Sequence, residues 1–496
     1  MFPLILGRNF MSLRNYGMIR PNDAGGPMRR RMLALAVLLL MCTLVAGAVG
    51  ATDVIRISDE NGGGDLGQYL SEGKSVILDV NVTYSDSISI NGGNSSILDL
   101  NGHTLTLSKN NGNNGIIGLG DESYDKRGTL KVTDTSSQKN GQINATESSL
   151  FWVGNSSNLT LEDGTFKAKI FVIAGNAARF TTGDKGPKYG NPVFDIKDVT
   201  ITSTTDMAVF IPADGSTATF TDTKINGVLG GLSLASGKIT VTNAKIHVTG
   251  NSEKPARYYP DEDGSIDDGS AIGVHKKSDA YTGDLTLKIL GTTELISDDK
   301  FALNNYIRTT DPGTTKVIIA DSVTTGDGKI ASAFYRTKGN PDTIKVATIS
   351  GSFEDLSGNK LLYPGLNQSG VTWDGNSDGY TLSITEAGNY KLMDSVNLKS
   401  MTVSAADVTI DGNKDAVTIT TVSGNSPVIK STGTGVTLQN LNMIGTGDFT
   451  QGTFIQLAGA NTNLANSIID FSKAKTTGSS SFHTVYLSGA ASKISG

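Results

Sequence analysis

The stretch VTLQNLNM, residues 436–443, decides the fold. Val436, Leu438, Leu441 and Met443 are apolar, but the alternation expected of a β-strand slips by one residue at Asn440. Successive strand side chains point to opposite faces, so an uncorrected slip would send half of these residues to the wrong side. Asn tolerates left-handed backbone angles better than most residues, and a bend at Asn440 returns both halves to one side. The same phrase recurs with Asp163 in LTLEDGTF, Asp198 in FDIKDVTI, Asp222 in ATFTDTKI, Asn243 in ITVTNAKI and Asn466 in TNLANSII. Looser copies place Asp134 in LKVTDTSS and Asp321 in VIIADSVT. Neighbouring slots are separated by 35, 24, 21 and 26 residues (163 to 198 to 222 to 243, then 440 to 466). A fixed phrase with variable gaps marks one coil of a solenoid with loops of different length inserted between coils. Asp134, Asp163, Asp198, Asp222, Asn243, Asp321, Asn440 and Asn466 are expected to form a structural corner ladder.

Composition agrees. The 496 residues include 59 Gly and only 6% aromatics, which suits many short strands and tight turns. No stretch after residue 51 sustains a 3.6-residue apolar period, so the fold class is all-β. The N-terminus differs: Arg29, Arg30 and Arg31 precede the apolar run MLALAVLLLMCTLVAGAVGA, which ends in small residues. Residues 1–51 therefore read as a leader and secretory signal peptide, cut ahead of Thr52, with Met28 a natural initiator. The competing reading is a membrane anchor, because a run of this length could span. Removing 1–51 takes away six Arg and one Asp, so the net charge of −6 becomes −11. Such an acidic surface argues against nucleic acid or anionic lipid and for a secreted or cell-surface protein. The single cysteine, Cys42, lies in the apolar run, so the fold beyond it is held without disulfides.

Along the chain, 52–360 reads as a first β-helical unit, with a long polar loop excursion at 251–282. Residues 361–379 read as a Gly- and Asn-rich linker, and 380–496 as a second unit. The second unit restarts the order of the first, with Gly388-x-Tyr390 answering Gly67-x-Tyr69. Asn101-Gly102 suits either a hairpin or a bend between two sides of a coil, and the repeat favours the bend. The final SKISG puts Gly496 in the corner slot with no cap following, which suggests truncation and an anchor beyond.

The repeated corners, together with VTIDGN, LDLNGHTL and GVTLQNLNMIG, resemble the pectate-lyase-like right-handed parallel β-helix proteins over roughly residues 65–496. Among these the chain looks most like cell-surface adhesin-like proteins of bacteria and methanogenic archaea. The resemblance implies three strands per coil in three parallel sheets, with corner Asn side chains stacked in a hydrogen-bonded ladder. Enzymes of this fold act on polysaccharides. A lyase of that kind would need acidic calcium ligands and a base Arg. None of Arg127, Arg179, Arg257, Arg308 and Arg336 lies in such a motif. A related hydrolase would show paired Asp with Gly-His-Gly. Asp267-Asp268 and Asp298-Asp299 are pairs, but the tripeptide does not occur. His103, His247, His275 and His483 are scattered, unlike zinc ligands.

These features favour a structural or adhesive role over the alternative of a polysaccharide lyase or glycoside hydrolase, with glycans or other cell-surface macromolecules as partners. Binding is expected at the excursion, where Arg257, Tyr258, Tyr259 and His275 offer stacking faces and hydrogen-bonding groups. Trp152 reads as core and Trp373 as a further stacking candidate. In PDEDGSIDDG, Asp261, Asp263, Asp267 and Asp268 could hold Ca²⁺, against the plainer reading of a solvated acidic loop. No other cofactor is implied, and membrane contact would come only through the leader or an anchor beyond residue 496. N-x-Ser/Thr acceptors stand at Asn81, Asn94, Asn144, Asn155, Asn158 and Asn367, relevant in a glycosylating host.

Overall fold

The computed structural model describes residues 54–496 except 113, 121–126, 155, 176–190, 213–214, 251–268, 275–282, 299–301, 306–312, 327–329, 332–333, 338–339, 347, 423–426, 450–452 and 477–482. Each coil of the first half gives one strand to each of three sheets. One coil comprises Thr217–Thr221, Lys224–Gly227 and Gly230–Leu234, and the next Gly237–Thr242, Lys245–Val248 and Ile272–Val274. Every strand pairs in parallel with its counterpart in the next coil, as in Thr219↔Thr240, Asn226↔His247 and Ser233↔Gly273. Among the described residues the second and third sheets so formed have 9 and 8 strands, and the first, which continues to the end of the chain, has 17. The fold is a parallel β-helix.

The alternation of the sequence sets which face is buried. Along the first sheet, Leu130, Leu159, Phe194, Ala218, Ile239, Leu287, Val317 and Phe353 are successive register neighbours, all within the interior. Each large side chain so buried contributes about 1.5–3 kcal/mol. One row across, Lys131, Thr160, Asp195, Thr219, Thr240 and Lys288 line the outer face. The dipeptide Asn101-Gly102 joins Ser95–Asp99 of the first sheet to Thr104–Leu107 of the second, so it bends the coil and makes no hairpin.

Among the described residues, helix is confined to a 3-10 turn, Glu60–Asp65, and the α-helix Leu66–Ser71. Leu66 and Leu70 are fully buried and belong to the first core. An added Cβ at Gly67 would fall 2.1 Å from Tyr84 Oη, so the helix sits this close only because residue 67 is glycine. The parallel drawn between Gly67-x-Tyr69 and Gly388-x-Tyr390 does not hold. The first lies in this helix, too short to show a period, and the second in the strand Gly388–Leu392.

The interior forms two clusters, one running from Ile57 to Leu366 and the other from Leu362 to Leu464. The linker expected at 361–379 is packed structure. Strands Lys360–Leu362 and Val371–Asn376 occupy it, and Tyr363, Leu366, Val371 and Trp373 are buried. Here the first sheet reverses. Gly351–Glu354 pairs antiparallel with Lys360–Leu362, which then pairs in parallel with Gly388–Leu392. The outer row continues Lys288, Ile318, Glu354, Lys360 and then becomes Tyr390, Ile410, Leu438 and Leu464, the interior of the second core. Adjacent residues Leu361 and Leu362, 1% and 0% exposed, belong to the first and second cores respectively. The two cores thus lie on opposite faces of one shared sheet.

In the second half a coil has one strand in the first sheet, such as Val408–Asp411, and two in a fourth sheet, such as Ile419–Thr421 and Ile429–Ser431. Both of the latter pair with the single long strand Val396–Val403. The excursion also needs division. Within 251–282, Ile272–Val274 is a buried third-sheet strand between Gly230–Leu234 and Leu303–Asn305, because three apolar-lined residues suffice to continue the sheet.

Candidate functional site

Asp163, Asp198, Asp222, Asn243, Asn440 and Asn466 all have left-handed backbones, with φ between 45° and 63°. Each follows its first-sheet strand and donates its N–H to the next coil: Asp163 to Lys197 O, Asp198 to Thr221 O, Asp222 to Thr242 O and Asn243 to Leu290 O. Asn440 and Asn466 do the same to Ala465 O and Ser495 O. Carboxamides link this second group, Asn466 Nδ2 donating to Asn440 Oδ1 at 2.7 Å and Asn440 Nδ2 to Asp411 Oδ2 at 2.8 Å. Asp134 and Asp321 continue the same line of register but are not left-handed. Between Asn243 and Asp321 the line passes through Gly291, φ 62°, which the pattern of Asn and Asp could not find. A second left-handed column, Asp407, Gly435, Asn461 and Ala491, precedes the strands of the second half.

The residues expected to bind or hold metal fall elsewhere. Arg257, Tyr258, Tyr259, Asp261, Asp263, Asp267, Asp268 and His275 lie outside the described residues. Of the two tryptophans, Trp373 is 5% exposed in the second core, so it offers no face to a ligand, while Trp152 is half-buried in the third sheet.

Two concavities stand out on the described surface. The first is a groove of about 470 Å³ on the second sheet, lined by Thr106, Gln142, Asn144, Thr146, Lys167 and Lys169 among others. Its floor is a row of outward side chains in register, Thr106, Asn144 and Lys167. Lys169 pairs with Glu147 at 2.9 Å, whereas Lys167 is exposed and has no ion-pair partner among the described residues.

The second is a cleft of about 420 Å³ where the two cores meet, lined by Tyr363, Pro364, Tyr380, Asp394, Ser395, Asn397 and Thr420 among others. Tyr363 is 2% exposed, packs edge-on to Phe353 at 6.2 Å, and its hydroxyl has no hydrogen-bond partner among the described residues. Burial, aided by the negative charges of Asp394 and Asp321, pushes this phenol well above its ordinary value. Tyr380 stands edge-to-face with Trp373, centroids 5.7 Å apart, beside a register shift between Tyr380 and Thr381. Such bulges re-aim a side chain out of the regular ladder. Asn397 Nδ2 donates to Ser377 O at 2.8 Å, and Ser395 Oγ accepts from Thr418 N at 3.0 Å, so the polar wall is already oriented.

No family model and no curated protein matches the chain. Among solved structures, it aligns with the crystal structure of PfbA, a surface adhesin of Streptococcus pneumoniae, at 12% identity and a TM-score of 0.20. That alignment covers 89% of this chain and 93% of that one. A score this low carries no argument about fold or role.

Proposed function

We propose that the chain is an exported, surface-displayed β-helix with a structural and adhesive role, and that its second-sheet face binds an extended glycan. The observation that carries this reading is the groove floored by Thr106, Asn144 and Lys167, which stand in register on successive coils. Parallel strands repeat every ~4.8 Å, close to the advance per residue of an extended polysaccharide, so equivalent groups can meet successive sugars. The sequence supports export through its leader, and a rigid solenoid suits display. The test is binding of the full chain to a panel of plant, bacterial and host polysaccharides, with Lys167→Ala and Asn144→Ala compared with wild type. Both positions are solvent-facing, so the fold should survive. Weakened capture of a bound polysaccharide supports the reading. Unchanged capture in both variants removes the groove from it, and release of new sugar ends would favour a polysaccharide-active enzyme instead.

A further inference from the structure

We infer that Asp134 has a chemical task beyond holding its turn: its carboxylate keeps two Asn-Gly pairs, Asn101-Gly102 and Asn140-Gly141, from deamidating. The two pairs are latent modification sites at the corner between the first and second sheets. This goes beyond the glycan-binding reading and does not depend on it.

Deamidation begins when the glycine nitrogen, having lost its proton, attacks Cγ of the preceding Asn. The new N–C bond closes a succinimide ring, the Cγ–Nδ2 bond breaks and ammonia leaves. Water then opens the ring to aspartate or isoaspartate. Glycine is the most reactive neighbour because it has no side chain to hinder the attack. Both corners nevertheless require it. Gly102 has φ 82°, and a Cβ at Gly141 would fall 2.6 Å from Leu100 Cβ and 2.9 Å from Asp134 Oδ2. Asn101, with φ 45°, is a residue type that tolerates the left-handed bend. The backbone itself therefore places reactive dipeptides here.

The attacking nitrogens are the ones Asp134 holds. Gly102 N donates to Oδ1 at 2.8 Å, and Gly141 N donates to Oδ2. Attack at either corner must break a charge-assisted hydrogen bond and remove a proton beside a negative charge, which slows it about ten- to a hundredfold. Burial raises this carboxyl, but the hydrogen bonds from Gly141, Ser136 and Gly102 outweigh it and hold it low, so it is a weak base for that proton. Asn101 has a second restraint. Its carboxamide donates to Leu78 O at 3.0 Å in the preceding coil, while Gly102 N points to the next coil. Exposed Asn140 has no such tie among the described residues, so it depends on Asp134 alone. At Asn91-Gly92 the glycine is exposed and its N–H has no hydrogen-bond partner among the described residues, which makes that pair the unguarded comparison.

The test is peptide mass spectrometry of the full chain held in warm, mildly alkaline buffer, with aspartate and isoaspartate counted at each Asn-Gly pair. In wild type, Asn91 should convert ahead of Asn140, although Asn140 is the more exposed side chain. Asp134→Ala should speed Asn140 about ten- to a hundredfold and Asn101 less. Because Ala also costs stability, Asp134→Asn is the second variant. With its amide oxygen kept on Gly102 and Ser136, its nitrogen faces Gly141 N, so Asn140 should again accelerate while Asn101 does not. Asn226-Gly227, in the strand Lys224–Gly227, is the control and should keep its wild-type rate in Asp134→Asn. Three results would each overturn the proposal: Asn226 accelerating as much as Asn140, which marks general loosening; Asn140 slowing or unchanged in both variants, which makes the carboxylate a base or a bystander; or Asn140 converting as fast as Asn91 in wild type.

Discussion

Replacing Asp134 by Ala should be among the most damaging single changes in the first half. The residue is fully buried at the turn after Thr129–Thr133, and its carboxylate gathers three backbone donors. Oδ1 accepts from Gly102 N at 2.8 Å and Ser136 N at 3.0 Å, and Oδ2 accepts from Gly141 N. Truncation orphans all three, and a buried donor without an acceptor costs about 1–3 kcal/mol. Water can enter this turn beside exposed Lys139, so the lower end applies to each, and the sum is about 3–4 kcal/mol. Asp134→Asn keeps the volume but turns an amide donor toward backbone donors, costing about 2 kcal/mol. Burial by itself would raise this carboxyl, but the hydrogen bonds from Gly141, Ser136 and Gly102 outweigh it and hold the group below its ordinary value. A folded value below the unfolded one gives stability that is present above the unfolded value near ~3.9 and lost as pH falls through the folded value. Urea unfolding followed by tryptophan fluorescence at pH 7 and pH 3 measures both effects. An Asp134→Ala midpoint within about 0.5 kcal/mol of wild type, or an acid-side loss no shallower than wild type, would refute the reasoning.

Gly67→Ala should loosen the helix over the first coil, because its methyl collides with Tyr84 Oη; a cost of about 1–3 kcal/mol should appear in urea unfolding, and Tyr84→Phe should relieve part of it. Asn440→Ala loses both its left-handed tolerance and its carboxamide links to Asn466 and Asp411, about 2 kcal/mol in all, whereas Asn440→Gly keeps the backbone and costs about 1 kcal/mol. In a glycosylating host, occupancy of the Asn144 acceptor would fill the second-sheet groove; mass spectrometry of Asn144 and polysaccharide capture should therefore vary inversely.

The corners were legible because their cause is local. A left-handed residue after each first-sheet strand favours Asn or Asp, and Asp163, Asp198, Asp222 and Asn243 repeat that requirement in the one-dimensional text. Gly291 meets it by lacking a Cβ, so a search for Asn and Asp passes over it. Asp134 fits the phrase but answers a different need, accepting hydrogen bonds in a buried turn. The reversal of the first sheet was hidden because alternation tells which residues share a face, not which face is inside. One signal was present: Leu361-Leu362 are neighbours and both apolar, the mark of a strand buried on two sides. The junction cleft left no trace, since Tyr363, Tyr380, Asp394 and Thr420 come from separate segments that only the fold assembles.

A strand that is core on both sides has no cheap way to open. Solenoids generally lose their coils from the ends, each coil needing only its neighbours. Lys360–Leu362 breaks that independence, because releasing it uncovers Phe353 and Tyr363 on one side and Leu392 on the other. Amide exchange should therefore be slowest here, well past the middle of the sequence, and fade toward both termini. Local fraying of either half would stop at this strand, so only an opening of the whole molecule would expose it.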